Sequence, residues 1–171
     1  MTFVPDFGKE SNPDRHIAFI CSKGNLDMAY PALVMGNAAL GEGVKTSFFF
    51  TFWGMDMIIK SRQDHLMFSP AGNSAMHLPG SDMHFPQSMS LLPGMTGMAT
   101  SMIKKEFEKL NVPPVPEFLD MITAAGGELW ACLMSADMNK VTEKDLRDDV
   151  SGIITAGAFI EMTDGAQIIF I

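Results

Sequence analysis

Apolar residues along this chain gather in short runs, separated by segments whose apolar positions recur at helical spacing. HIAFICSK, residues 16 to 23, is the first run, and Lys23-Gly24-Asn25 breaks it, which predicts a buried strand followed by an exit loop. A helix is expected next. From Asp27 onward, Ala29, Leu33, Gly36 and Leu40 lie close to one face, Pro31 falls near the first turn where it is tolerated, and Gly41 and Gly43 stop the element. VKTSFFFTFWG, 44 to 54, is apolar almost throughout and predicts a second strand of a parallel sheet covered on both faces, with MDMIIKSRQ as a short helix after it.

Two further helices are predicted at 101 to 110 and 115 to 127, divided by Pro113-Pro114, the second ending on Gly126-Gly127. ELWACLM follows as a third strand. VTEKDLRDDV reads as a helix with Thr142 at its N-cap and Asp145 three positions on. SGII is a short strand, TAGAFIEMTDGA a last helix and QIIFI a last strand, which makes five βα-type repeats with no hairpin signal. The expected fold is α/β: a three-layer α/β/α sandwich on a mainly parallel sheet of about five strands. Right-handed crossovers then put every strand-to-helix loop on one edge of that sheet.

A chain of 171 residues fits a single domain, 1–171, with residues 1–15 as an N-terminal extension and 65–100 as an insertion. At that length roughly two-thirds of the unfolded surface is buried without staples. Two cysteines 111 positions apart, outside any CxxC or Cys/His spacing, indicate a reducing compartment and argue against structural zinc. A formal charge of −8 repels a phosphate backbone, so nucleic acid is not expected as a partner. MTFVPDFGKESNPDR has no apolar core after a basic start and is not read as a signal peptide, and SFFFTFWGM is too short to span a bilayer. A cytoplasmic location is the expectation.

Candidate chemistry centres on the cysteines. Ligands of open α/β sheets bind outside the carboxyl ends of the strands, and both Cys132 and Cys21 lie near such ends. A free cysteine also serves as a small buried hydrophobe, and position alone does not separate the two roles. A redox pair between Cys21 and Cys132 is a further alternative, requiring Cα atoms within about 7 Å.

The strings ALVMGNAALGEGVKTSFFFTFWG, LPGMTGMATSMIKKEFEKLNVPPVPEFLDMITAAGGELWACLMSAD and DVSGIITAGAFIEMTDGAQIIFI resemble the DsrE/DsrF-like superfamily of sulfurtransferases and sulfur carriers. More narrowly they are similar to its Met-rich, "peroxiredoxin-like" DsrE-family branch, from about His16 to Ile171. The most specific element is Ala-Cys-x-Met-Ser-x-Asp, carried as Ala131, Cys132, Leu133, Met134, Ser135, Ala136 and Asp137, with Leu133 where the pattern would have Gln. The resemblance implies that Cys132 bears sulfur. Its thiolate would take sulfane sulfur as a persulfide or thiosulfonate and pass it to a second thiol without a cofactor. A small TusA-type carrier and sulfur-oxidation machinery are the implied partners, and a homo-oligomer the implied assembly. Backbone N–H groups and a helix N-terminus at the strand end would lower the thiol pKa. Cys21, Asn25, Ser135 and Asp137 are candidate pocket residues: Ser135 as a hydrogen-bond donor to sulfur or a turn residue, Asp137 as a cap or orienter of the loop.

The stretch 65 to 98 holds three of the four histidines and carries MHLP and MHFP seven residues apart, with Pro79, Pro86 and Pro93 on the same spacing. As an excursion of about thirty residues it exceeds normal loop lengths and is expected to be functional or folded against a neighbour. Methionine packs adaptably, which suits a lid over the cysteine or a subunit contact. Imidazole and thioether groups also suit copper or haem iron, so a non-catalytic module in which this segment binds metal or haem through His77 and His84, or docks a partner, with a structural cysteine, is the alternative function.

Overall fold

A computed structural model describes residues 14–77 and 81–171; most of the N-terminal extension, and Pro79, lie outside the described residues. The strands are β1 (His16–Cys21), β2 (Lys45–Phe50), β3 (Glu128–Cys132), β4 (Gly152–Ile154) and β5 (Gln167–Phe170). They form one sheet in the order β4-β3-β2-β1-β5, and every neighbouring pair is parallel. The helices are α1 (Leu26–Gly41), α2 (Gln87–Ser90), α3 (Met95–Lys109), α4 (Val115–Ala124), α5 (Leu133–Asn139) and α6 (Ala156–Met162). This is the α/β sandwich that the alternation of runs predicts.

Strand order explains which helix covers which face. The chain steps in one direction from β1 to β4 and then returns across the sheet to β5, so right-handed crossovers send the last helix to the opposite face. Leu26, Ala29 and Leu33 of α1, with Phe118, Leu119 and Ile122 of α4, pack with Phe19, Phe48, Phe50 and Leu129 on the first face. On the second face Phe159 of α6 packs with Ala18, Phe49 and Cys132. The Phe49 and Phe159 rings stack with centroids 4.6 Å apart. Gly36 lets α1 lie tight on the sheet, because a Cβ there would come within 2.1 Å of the Phe48 ring.

Four elements differ from expectation. The second strand stops at Phe50, and the chain turns at once into a 3-10 helix, Phe52–Met57, in place of a helix over MDMIIKSRQ. Met55, Met57, Ile58 and Ile59 are all buried, positions that a regular helix would spread around its circumference, and Ile59 instead pairs antiparallel with Leu146. The third strand ends at Cys132, with Leu133 and Met134 already helical. VTEKDLRDDV forms only the single 3-10 turn Glu143–Asp145, although its Thr142/Asp145 capping box is present. Its continuation is drawn straight by the Leu146 pairing and by Arg147, whose guanidinium bonds Asp149, Asp120 and Gln63. The helix after the insertion begins earlier than expected, at Met95, following Gly94 in the left-handed region at φ 85°.

The redox pair between Cys21 and Cys132 is also corrected. Cys21 aligns with Phe50 and Phe50 with Ala131, so the two cysteines stand two strands apart. That separation is about 9–10 Å, beyond disulfide reach. They also face opposite sides of the sheet, Cys21 among the first cluster and Cys132 in the second, and both thiols are free.

Candidate functional site

Cys132 closes β3 and is the N-cap residue of α5, with extended torsions of φ −76° and ψ 121°. It is 3% exposed. Burial alone pushes its thiol pKa up, yet the thiol lies below its ordinary value, because the Ser135 N–H, the Ser135 and Thr51 hydroxyls and the Met134 N–H all hydrogen-bond the sulfur. Hydrogen bonds to the charged form favour that form, and here the backbone and hydroxyl donors together outweigh the desolvation. The strand-to-helix transition supplies two of them, since the first N–H groups of a helix have no partner within it.

The hydroxyls are themselves positioned. Ser135 is fully buried, and its Oγ accepts from Phe52 N–H at 2.8 Å and stands 3.1 Å from Thr51 Oγ1. One of the two hydroxyls donates to the other, which leaves one hydroxyl proton at a time to point at sulfur. Phe52 has φ 46°, a conformation that a bulky side chain rarely takes, and it aims the Phe52 N–H at Ser135. Thr51 N–H donates to Cys21 O at 3.0 Å, and Gly54 sits so close beneath that a Cβ would lie 2.1 Å from the same carbonyl. The end of β1 thus sets the height of the turn that carries Thr51 and Phe52. Asn139 Nδ2 donates to Ser135 O at 2.9 Å and holds the first turn of α5 from its far end.

Of the pocket residues expected from sequence, the structure brings only Ser135 to Cys132. Cys21 is 2% exposed on the other face, and burial pushes its thiol up to about 12. Asn25 is exposed at the N-cap of α1 and lines a groove of about 400 Å³ with Gly24, Trp53, Asp56, Arg62 and His65, which Cys132 does not reach. Asp137 is exposed on α5 and, among the described residues, its carboxylate accepts no hydrogen bond. The loop is oriented by Asn139 in its place. His77 and His84 pair across an isolated antiparallel bridge in the insertion, away from the partners of Cys132. Thr51 and the Phe52 N–H are new to the site. Their trace in the sequence is the single polar residue that ends SFFFT just before FWG.

The cavities of about 180, 400 and 440 Å³ are lined by residues other than Cys132. Above it lies an apolar rim of Phe52, Trp53, Leu133, Met134 and Met138, all exposed, Trp53 to 60% and Met134 to 59%. Among the described residues no group of three or more His, Cys, Asp or Glu side chains is placed to hold a metal ion, and no helix is long and apolar enough to cross a membrane.

A parallel α/β sheet that ends its third strand in a buried cysteine beside hydrogen-bond donors defines an α/β sandwich with a thiol at the carboxyl edge of the sheet. A family model for DsrE/DsrF/DrsH-like proteins matches residues 13–171, and the chain belongs to that family. It is 32% identical over 155 residues to the sulfur carrier protein DsrE2 of Allochromatium vinosum, covering 90% of this chain and 96% of that protein. It is 28% identical over 167 residues to the uncharacterized protein YrkE of Bacillus subtilis, covering 92% of this chain and 97% of that one. Among solved structures it resembles MTH1491 of Methanobacterium thermoautotrophicum, a protein of unknown function. The TM-score is 0.54 at 10% identity, covering 92% of this chain and 100% of that one, and the likeness shows the shared fold.

Proposed function

We propose that this protein is a cytoplasmic sulfur carrier or sulfurtransferase that loads sulfane sulfur on Cys132 and relays it to a partner thiol in sulfur metabolism. The observation that carries the reading is the thiol itself: buried at a strand end, yet held below its ordinary pKa by the N–H and hydroxyl donors of Met134, Ser135 and Thr51. Membership of the DsrE/DsrF/DrsH-like family and the sulfur-carrier relative support it.

The chemistry follows from the donors. The Cys132 thiolate attacks the sulfane sulfur of a polysulfide or thiosulfonate, a new S–S bond forms, and the old one breaks with its electron pair leaving on the departing group. The same N–H and O–H groups that favour the Cys132 thiolate also stabilise it as the leaving group of the second step. A second thiolate then attacks the loaded sulfur and regenerates the Cys132 thiolate, so no external oxidant is consumed. The exposed apolar rim favours a protein as donor or acceptor, and a small TusA-type carrier with one accessible thiol is the partner we propose. We extend the reading to a homo-oligomer, since the exposed methionines of the insertion and the apolar β5 edge exceed what a monomer comfortably presents to water.

Transfer is the test. Protein preloaded with polysulfide and desalted is mixed with a single-cysteine acceptor protein, and intact mass follows the sulfur. Mass lost from Cys132 should appear on the acceptor; a loaded Cys132 that never yields its sulfur to any acceptor thiol would remove the relay.

A further inference from the structure

The insertion carries two imidazoles that the thiol chemistry does not use. Phe85 N–H donates to Met76 O at 2.8 Å, and His77 pairs antiparallel with His84, so two extended segments set the histidines directly opposite each other. Phe85 and Met76 turn inward, Phe85 buried and Met76 packed against the main core, which fixes this crossing to the body of the protein. The imidazoles turn outward. Both are exposed, their ring centroids stand 4.3 Å apart with planes tilted by 38°, and among the described residues neither ring accepts or donates a hydrogen bond.

We propose that His77 and His84 form a bis-imidazole site for a transition-metal ion, copper foremost. Metal–nitrogen bonds of about 2.0–2.1 Å place two ligand nitrogens about 3–4 Å apart. Directly opposed strand residues have Cβ atoms about 4.5–5.5 Å apart, a span that two imidazoles close through one ion. The observed tilt already makes the ring planes converge, and the exposed side-chain torsions are free to open it further until the lone pairs meet. Imidazole is a borderline donor that suits copper, zinc and nickel, and divalent copper heads the affinity order at nitrogen sites. Met83 and Met89, exposed on the same segment, offer soft thioether donors suited to reduced copper. No third His, Cys, Asp or Glu joins the pair among the described residues, so the remaining positions fall to water or thioether and the site is a chelating clip. It stands independently of the reading of Cys132.

Copper titration with paramagnetic resonance detection tests the site. The full chain is used with Cys132→Ser, because an accessible thiol would itself bind or reduce copper. We expect one equivalent of divalent copper with nitrogen splitting from two imidazoles, and affinity lower by roughly a hundredfold in His77→Ala or His84→Ala once the chelate is opened. His65→Ala, outside the pair, should leave it unchanged. Splitting from one imidazole only, or undiminished affinity in the double variant, overturns the proposal; folding of each variant is checked by circular dichroism, and a second titration with nickel repeats the comparison should copper promote aggregation.

Discussion

Two cysteines end β1 and β3 at the same sheet edge and meet opposite fates. Around Cys21 only burial acts, so its thiol rises to about 12 and is inert; around Cys132 the donors of Ser135, Thr51 and Met134 overcome burial and the thiol falls below its ordinary 9.0. Alkylation rates against pH should therefore show Cys132 with a midpoint under that value, while Cys21 labels only on unfolding. A hydrogen bond to a charged group is worth about 1.5–3 kcal/mol, so Ser135→Ala or Thr51→Val should each raise the Cys132 midpoint by about 1–2 pH units. Unmoved midpoints in both variants would show that the hydroxyls do not stabilise the thiolate. Cys21 makes a second statement, about stability. The folded chain keeps its proton up to about 12 whereas the unfolded chain gives it up near 9.0, so unfolding binds fewer protons in that window and stability falls as pH rises through it. Urea unfolding at two alkaline pH values should show a smaller loss for Cys21→Ala than for the wild type.

The turn after β2 is the element on which the site depends. Its 3-10 helix can approach β1 only because Gly54 has no side chain, and that approach holds Thr51 and the Phe52 N–H against Ser135. Gly54→Ala should cost about 1–3 kcal/mol by overpacking, and should slow Cys132 alkylation at low pH as the hydroxyl shifts. Unchanged urea midpoint and unchanged alkylation would mean that the turn is not braced this way. This is also where sequence reading stops. The five strands and the main helices α1, α3 and α4 are legible because each has its own period and its own Gly or Pro boundary. The turn is not, because its conformation is set by partners far along the chain: Ser135 lies 84 residues from Thr51, and Leu146 draws Ile59 out of a helix. Cys132 was legible from its place at the end of an apolar run and from the Ala-Cys-x-Met-Ser-x-Asp pattern. Ser135 followed as its neighbour by spacing, whereas Asn25, Cys21 and Asp137 share the sheet edge with the thiol without touching it.

Taken as one body, the molecule is acidic, carries an apolar rim over its thiol, and exposes Ile168 and Phe170 on β5, the edge strand of its sheet. Apolar side chains exposed on an edge strand are what a subunit contact would cover. Light scattering at micromolar concentration should give a mass that is a multiple of 18.7 kDa, and Phe170→Glu should lower it; a monodisperse monomer would remove the assembly. The relay itself rests on one atom, the Cys132 sulfur, and intact mass after incubation with tetrathionate or polysulfide reads it directly. A single sulfur-containing adduct should form on the wild type and on Cys21→Ser, and none on Cys132→Ser, whose hydroxyl nearly matches the thiol in volume but is scarcely ionised near neutral pH. Equal loading of wild type and Cys132→Ser would contradict the account and leave Cys132 as a small apolar residue at the end of a strand.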